Sequence, residues 1–130
     1  MIDIYAYDEA GYQKLFSFQS WRIAILNYTA ELKPHQITYF EAHNETDEAF
    51  VLLEGKAIIY YLDNNDIKHI VLEKNKVYNV KKDVYHTHVL SKDCKLLIIE
   101  EESTNYHNSH RIYIGEKEQY QLKEVWERYV

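Results

Sequence analysis

Glu41-Ala42-His43-Asn44-Glu45-Thr46-Asp47-Glu48, followed by the apolar run Ala49-Phe50-Val51-Leu52-Leu53 and then Glu54-Gly55, is the stretch on which the reading of this chain turns. It sets imidazole and carboxylate groups in a short polar knot directly against a strand-like segment. In its plain reading such a knot is a surface hairpin loop. In its chemical reading it is a metal site, because neutral His and ionised carboxylate are ligands of divalent cations. Residues i and i+2 of a strand project to the same face, so Glu41 and His43 point together. The loop 44–47 reverses the chain, and Glu48 opens the next strand, where it can face them.

Outward from this stretch, short runs rich in β-branched and aromatic residues recur roughly every ten positions. Segments 21–28, 36–40, 48–53, 56–62, 67–72, 77–80, 84–90, 95–100 and 111–114 read as strands. Turn chemistry separates them: Pro34, Gly55, the cluster Asp63-Asn64-Asn65-Asp66, and Lys81-Lys82-Asp83. Residues 8–16 fit a helical turn, weakened by Gly11. From residue 117 the period changes. Leu122, Val125, Trp126 and Tyr129 stand at i, i+3, i+4 and i+7, one face of a helix. The pattern predicts an all-β sandwich or barrel, strands within about 20–114, closed by a helix over about 117–129 that covers a sheet or a dimer contact.

Composition narrows the classes. A length of 130 residues implies one domain, 1–130, and a hydrophobic fraction of 46% supports a real core. The net charge of -6 argues against a dedicated nucleic-acid or anionic-membrane surface. The single cysteine, Cys94, excludes an intramolecular disulfide and fits a reducing compartment. No basic stretch precedes an apolar core at the start, and no apolar run approaches the length of a membrane helix. A cytoplasmic location is the expectation. The 13 tyrosines suit clefts and subunit interfaces alike.

A second imidazole pair, His86 and His88, shares a strand face just after a tight turn. A compact barrel could bring one of them to the first cluster, giving two imidazoles and two carboxylates around one cation. At these residues the chain resembles the cupin superfamily, in its small RmlC-like form. His43, Glu48 and Gly55 match the second His, the Glu and the Gly of the first cupin motif at the family spacing, while Glu41 replaces the first His. Asn75, Lys81, Asp83 and His86 occupy the Gly, Pro, Gly and His positions of the second motif, with only the His literally kept. Asn and Asp for Gly are mild changes, since both accept turn conformations. The resemblance spans about residues 35–101. It implies a double-stranded β-helix (a jelly-roll β-barrel), often a homodimer. It also implies a divalent metal ion, Zn, Fe, Mn or Ni, held by Glu41, His43, Glu48 and His86.

The remaining polar residues have plainer readings. His88 is a barrel-lining residue and the reserve ligand. Tyr39, Tyr60, Tyr61 and Tyr78 are candidates to line a cavity. His35, His69, His107, His110, Glu45 and Asp47 read as surface or turn residues, and Cys94 as a packed small side chain. Three functions stay open: a metal-dependent isomerase, lyase, hydrolase or oxygenase of a small polar metabolite; a metal-free module binding a sugar or carboxylate; and a barrel kept for structure alone. No DNA-binding helix pair is visible, which disfavours a transcription regulator.

Overall fold

Alternation of burial along the strands is what builds this molecule. In β9 (Lys95–Glu101) Leu96, Ile98 and Glu100 are buried and their neighbours are half-exposed. In β4 (Glu48–Glu54) the buried set is Glu48, Phe50 and Leu52. The structure is a computed structural model describing residues 1–129, the Tyr106 side chain excepted; Val130 of the expected domain lies outside it. The other strands are β1 (Gly11–Phe18), β2 (Trp21–Asn27), β3 (Tyr39–His43), β5 (Ala57–Asp63), β6 (Asp66–Val71), β7 (Val77–Val80), β8 (His86–Leu90) and β10 (Ser109–Tyr113).

Two five-stranded antiparallel sheets result, in the orders β1-β2-β9-β4-β7 and β10-β3-β8-β5-β6. Their inner faces meet in one core, with Ala24, Leu26, Phe50, Leu52, Leu96 and Ile98 from the first sheet against Ala57, Ile59 and Leu90 from the second. The helix α1 (Glu116–Tyr129) lies on the outer face of the second sheet, where Leu122 packs with Phe40, Ile58, Tyr60 and Val89. Glu118 accepts the Gly115 N–H at 3.0 Å at the helix start. Among the described residues, no helix is long and apolar enough to cross a membrane.

Three expectations are corrected here. Residues 8–16 do not form a helical turn: β1 starts at Gly11 (φ +87) and pairs along the whole of β2, with a bulge between Lys14 and Phe16. A long apolar neighbour strand outweighs weak local helix preference. Tyr60 does not line the cavity. Its ring is fully buried on the helix side of β5, and its hydroxyl donates to the Leu122 carbonyl at 2.8 Å. Burial pushes that phenol up. Both faces of β5 are apolar, so alternation alone did not say which face looks inward. The extended segment expected at 36–40 also begins later, because Pro34–Gln36 forms a 3-10 turn first.

The turns that deliver the site residues use left-handed backbone. Asn75 (φ 70) and Asp83 (φ 69) take positive φ, and these are the positions where the motif carries Gly. Gly55 (φ +75) admits no side chain, since a Cβ there would meet the Cys94 Cα at 2.6 Å.

Candidate metal centre

His43 ends β3, Glu48 opens β4 and His86 opens β8, so three strand termini converge at one end of the barrel. The loop between β3 and β4 is tied to the turn before β8. Asp47 accepts the Lys82 N–H at 2.8 Å and the Asn79 amide at 2.9 Å, and the Asp83 N–H donates to the His43 carbonyl at 2.8 Å. Those hydrogen bonds hold the Asp47 carboxyl below its usual range. Asp47 is therefore a clamp between the two halves of the cluster rather than a solvated loop residue.

Glu48 is the centre of the site. Its Oε1 lies 3.2 Å from His43 Nε2 and 2.9 Å from His86 Nε2. One ligand atom from each of the three residues lies within 4.8 Å of the others. The two imidazole rings meet edge-on, their centroids 5.6 Å apart. All three side chains are buried. Burial would raise the Glu48 carboxyl, but the hydrogen bonds and charge of the two histidines outweigh it and hold the group well below the carboxylate range. Burial works against a charged His43, and the Glu48 hydrogen bond and charge reverse this, so the His43 pKa is raised.

The outer nitrogens fix the tautomers. His86 Nδ1 faces the Val84 carbonyl at 3.0 Å, an acceptor only, so Nδ1 carries a proton. His43 Nδ1 lies 2.7 Å from Ser109 Oγ, whose own hydrogen goes to the Asn105 carbonyl at 2.7 Å. Ser109 must then accept from His43 Nδ1–H. In the neutral imidazoles both Nε2 lone pairs are bare, and both face one ionised carboxylate oxygen.

Around this core the structure adds groups the sequence reading passed over. Glu100 is buried and accepts from Arg22 Nη2 at 2.6 Å and from the Tyr12 hydroxyl at 3.0 Å. Burial first, then the negative charge of Glu48, raises its carboxyl to about 7. Burial and Glu100 together push the Tyr12 phenol up. The signal was present: Glu100 is in phase with Leu96 and Ile98, and Arg22, its direct cross-strand partner, is in phase with Ala24 and Leu26. Ser109 carried no such signal. It reaches His43 only because β10 pairs with β3.

The other sequence candidates fall in different places. Glu41 is outside the three-residue cluster, because its carboxylate accepts from Arg111 Nε at 2.9 Å, and that guanidinium lies 4.1 Å over the Tyr39 ring. His88 points into the barrel beside Phe50, with Nδ1 buried and without a hydrogen-bond partner among the described residues. Burial lowers its pKa to about 4. Tyr78 accepts the Glu73 N–H at 2.9 Å and lines a separate hollow with Tyr61 and Ile70. His69 packs its ring near Tyr60 and Tyr129, and His35 is exposed. Burial raises the Cys94 thiol to about 12, leaving it a core residue.

The cluster faces open space. One cavity of about 380 Å³ and another of about 370 Å³ both include Tyr39, Glu41, His43, Glu48 and His88 in their walls. The first continues past Leu32, Gln36 and Thr87, the second past Glu100, Arg22, Thr104 and Arg111.

No family model and no curated protein matches the sequence. Solved structures do match the fold. A cupin-2 domain protein from Shewanella frigidimarina shares 20% identity at a TM-score of 0.57, over 74% of this chain and 85% of that one. Pac13, a nucleoside dehydratase from Streptomyces also solved with uridine, shares 9% at a TM-score of 0.60, over 86% and 88%. Iron(II)-containing HppE shares 18% at a TM-score of 0.56, over 68% of this chain and 48% of that longer one. The fold of this chain is that of the cupin superfamily.

Proposed function

We propose that this cupin-fold chain holds one divalent cation on His43 Nε2, His86 Nε2 and Glu48, and that it binds and transforms a small polar organic molecule in the cavity beside it. The observation that carries this reading is the set of bare acceptors. Two imidazole lone pairs and a carboxylate oxygen converge with no hydrogen between them in the neutral state. Such an arrangement requires positive charge at its centre, supplied by protons or by a metal ion.

The spacing fits a metal. Ligand bonds of about 2.0–2.2 Å set neighbouring donors about 3–3.5 Å apart, close to the 3.2 and 2.9 Å seen here. The backbone carbonyl of Val84 and the Ser109 hydroxyl orient the rings as outer partners of metal-bound histidines do. Two imidazoles and one carboxylate suit Fe(II), and also Zn, Mn or Ni. Three protein donors leave coordination positions open, the mark of a catalytic rather than a structural site. A bound cation there would polarise a ligand oxygen or lower the pKa of water. Within the chain, Glu48 and the two rings hold the charge, Arg22 and Tyr12 hold Glu100 beside it, and Tyr39 with Arg111 forms the outer wall. The cavities are of a size for a small metabolite, and the fold neighbours solved with uridine or with an inhibitor support a small-molecule ligand.

A metal-free ligand-binding module is the second reading. The raised His43 pKa favours it, since a proton can occupy the site in place of a cation. Metal analysis of untagged protein separates the two. The account expects close to one equivalent in the wild type and loss of metal in His43→Ala and His86→Ala. Metal-free wild-type protein that stays metal-free after incubation with Fe(II), Mn(II), Ni(II) or Zn(II) would end the metal reading.

A further inference from the structure

A hollow separate from the two cavities at the cluster opens where the sheets part. Strands β6 and β7 end the two sheets on the same side of the sandwich, and β7 is only four residues long. Residues of a strand alternate between faces, which turns Ile59, Tyr61 and Ile70 from the second sheet and Tyr78 and Val80 from the first toward this gap. They wall a space of about 240 Å³ and share no wall residue with the cavities beside Glu48. Ile70 is 42% exposed. Apolar walls around a concave space are the form that small-molecule sites take. The volume is below the ~300 Å³ at which sites for drug-sized ligands begin, so it fits one aromatic ring with a substituent.

Charge and shape narrow the occupant. Lys81 stands at the rim with its side chain 75% exposed, and its ammonium lies 3.8 Å from Asp47, a loose ion pair. No Asp or Glu lines the hollow, although the chain has 21 of them against 15 Lys and Arg. The Tyr61 and Tyr78 rings offer faces on which a flat ring packs. From this we infer that the hollow between β6 and β7 binds a small aromatic anion, and that its occupancy steadies the turn 81–84 from which His86 emerges.

The coupling follows from what the walls also hold. Val84 supplies the carbonyl that faces His86 Nδ1 at 3.0 Å. Tyr61 is the cross-strand partner of His86. Asn79, also in the wall, donates to Asp47 at 2.9 Å. Between these residues the Lys82 N–H donates to Asp47 and the Asp83 N–H to the His43 carbonyl, each at 2.8 Å. Residues 81–83 are exposed and Asp83 holds a positive φ of 69, so local opening of this turn costs less than global unfolding. A ligand packed against Lys81 and Val84 is released when the turn opens, so its binding opposes the opening.

Benzoate is the probe, with benzyl alcohol as its uncharged counterpart. Added to the metal-free, nitrogen-15-labelled full chain, benzoate should shift the amide signals of Ile70, Tyr78 and Val84 to saturation. It should bind about three- to fivefold more tightly than benzyl alcohol, the worth of an exposed ion pair, and Lys81→Gln should abolish that preference. Ile70→Trp fills the hollow and should weaken benzoate at least about tenfold with circular dichroism unchanged. Lys81 is exposed, so its variant keeps the test open whether or not Ile70→Trp folds. With benzoate at about ten times its dissociation constant, exchange of the Asp83 amide should slow about tenfold. Zn(II) affinity should then rise at least about fivefold, the low end of such couplings; this last effect rests on a cation held by His43, Glu48 and His86. Absence of a saturable shift, or wild-type binding by folded Ile70→Trp, overturns the site. Equal binding of the two probes overturns the charge assignment. Bound benzoate with unchanged Asp83 exchange overturns the coupling to the turn, and unchanged Zn(II) affinity in a chain that loads metal overturns the link to the cluster. Slowed exchange in protein that takes up no Zn(II) supports the inference and counts against the metal reading alone.

Discussion

Replacing Ser109 by Ala tests the metal account through a residue that touches no metal. Ser109 Oγ lies 2.7 Å from His43 Nδ1 and donates to the Asn105 carbonyl at 2.7 Å, so it fixes both the ring orientation and the tautomer of His43. Ala removes this hydroxyl and leaves the Nδ1–H without that acceptor. Loss of such an outer partner weakens metal binding about 10–100-fold, which corresponds to about 1.4–2.7 kcal/mol. His86 keeps its orientation, because its partner is the Val84 backbone carbonyl. Zn(II) affinity, measured by competition with a chromophoric chelator, should therefore drop within that range and not vanish. Ser109→Thr retains a hydroxyl and should stay within about threefold of the wild type. Without metal, Ser109→Ala should also lose about 1–3 kcal/mol of stability, the cost of a buried donor left unpaired. Wild-type affinity in Ser109→Ala would refute the reasoning, as would an equal loss in Ser109→Thr.

Stability and metal affinity should respond to pH in opposite directions. His43 and Glu100 have raised pKa values in the fold, the latter to about 7 from 4.5, so their stabilisation is complete below the unfolded values and is lost as pH rises through the folded ones. The lowered Glu48 carboxyl gives the reverse dependence only as pH falls below its unfolded 4.5. The melting temperature of metal-free protein should decline from about pH 5.5 to 8, whereas the increment produced by Zn(II) should grow over the same range, as ligand protons are removed; parallel curves would contradict this. Glu41→Gln should change Zn(II) affinity by less than about threefold, because Glu41 is paired with Arg111 rather than with the cluster, and such half-exposed pairs are worth under about 1 kcal/mol. A 100-fold loss would return Glu41 to the ligand set. Gly55→Ala should cost more than about 2 kcal/mol in denaturant unfolding, since its Cβ meets the Cys94 backbone at a positive φ; a loss under about 0.5 kcal/mol would show that the turn yields.

The strands were legible because burial alternates along them and turn residues separate them. Val77–Val80 matches the expected segment, and β4 and β9 depart from theirs by one residue each. The second motif was legible despite losing its glycines, since Asn75 and Asp83 take the left-handed backbone those positions demand. Spacing placed His43 near Glu48 and left His86 and His88 as alternatives; the cupin resemblance pointed to His86, which the structure brings to the other two. The misses have separate causes. Ser109 sits in a polar stretch whose position depends on pairing 66 residues away in sequence. Tyr60 lies on a strand that is apolar on both faces, where period two carries no direction. Arg22 and Glu100 could have been placed, because each falls in phase with core residues of its own strand.

Nitrogen-15 spectra of histidine-labelled protein during Zn(II) addition test the central claim most directly. Of the seven histidines, two should shift at Nε2 while their Nδ1 stays protonated, and the change should end at one equivalent. His43→Ala and His86→Ala should each remove one of the two signals. Shifts at Nδ1, shifts spread over the exposed histidines, or no saturation at one equivalent would contradict a cation held between His43, Glu48 and His86.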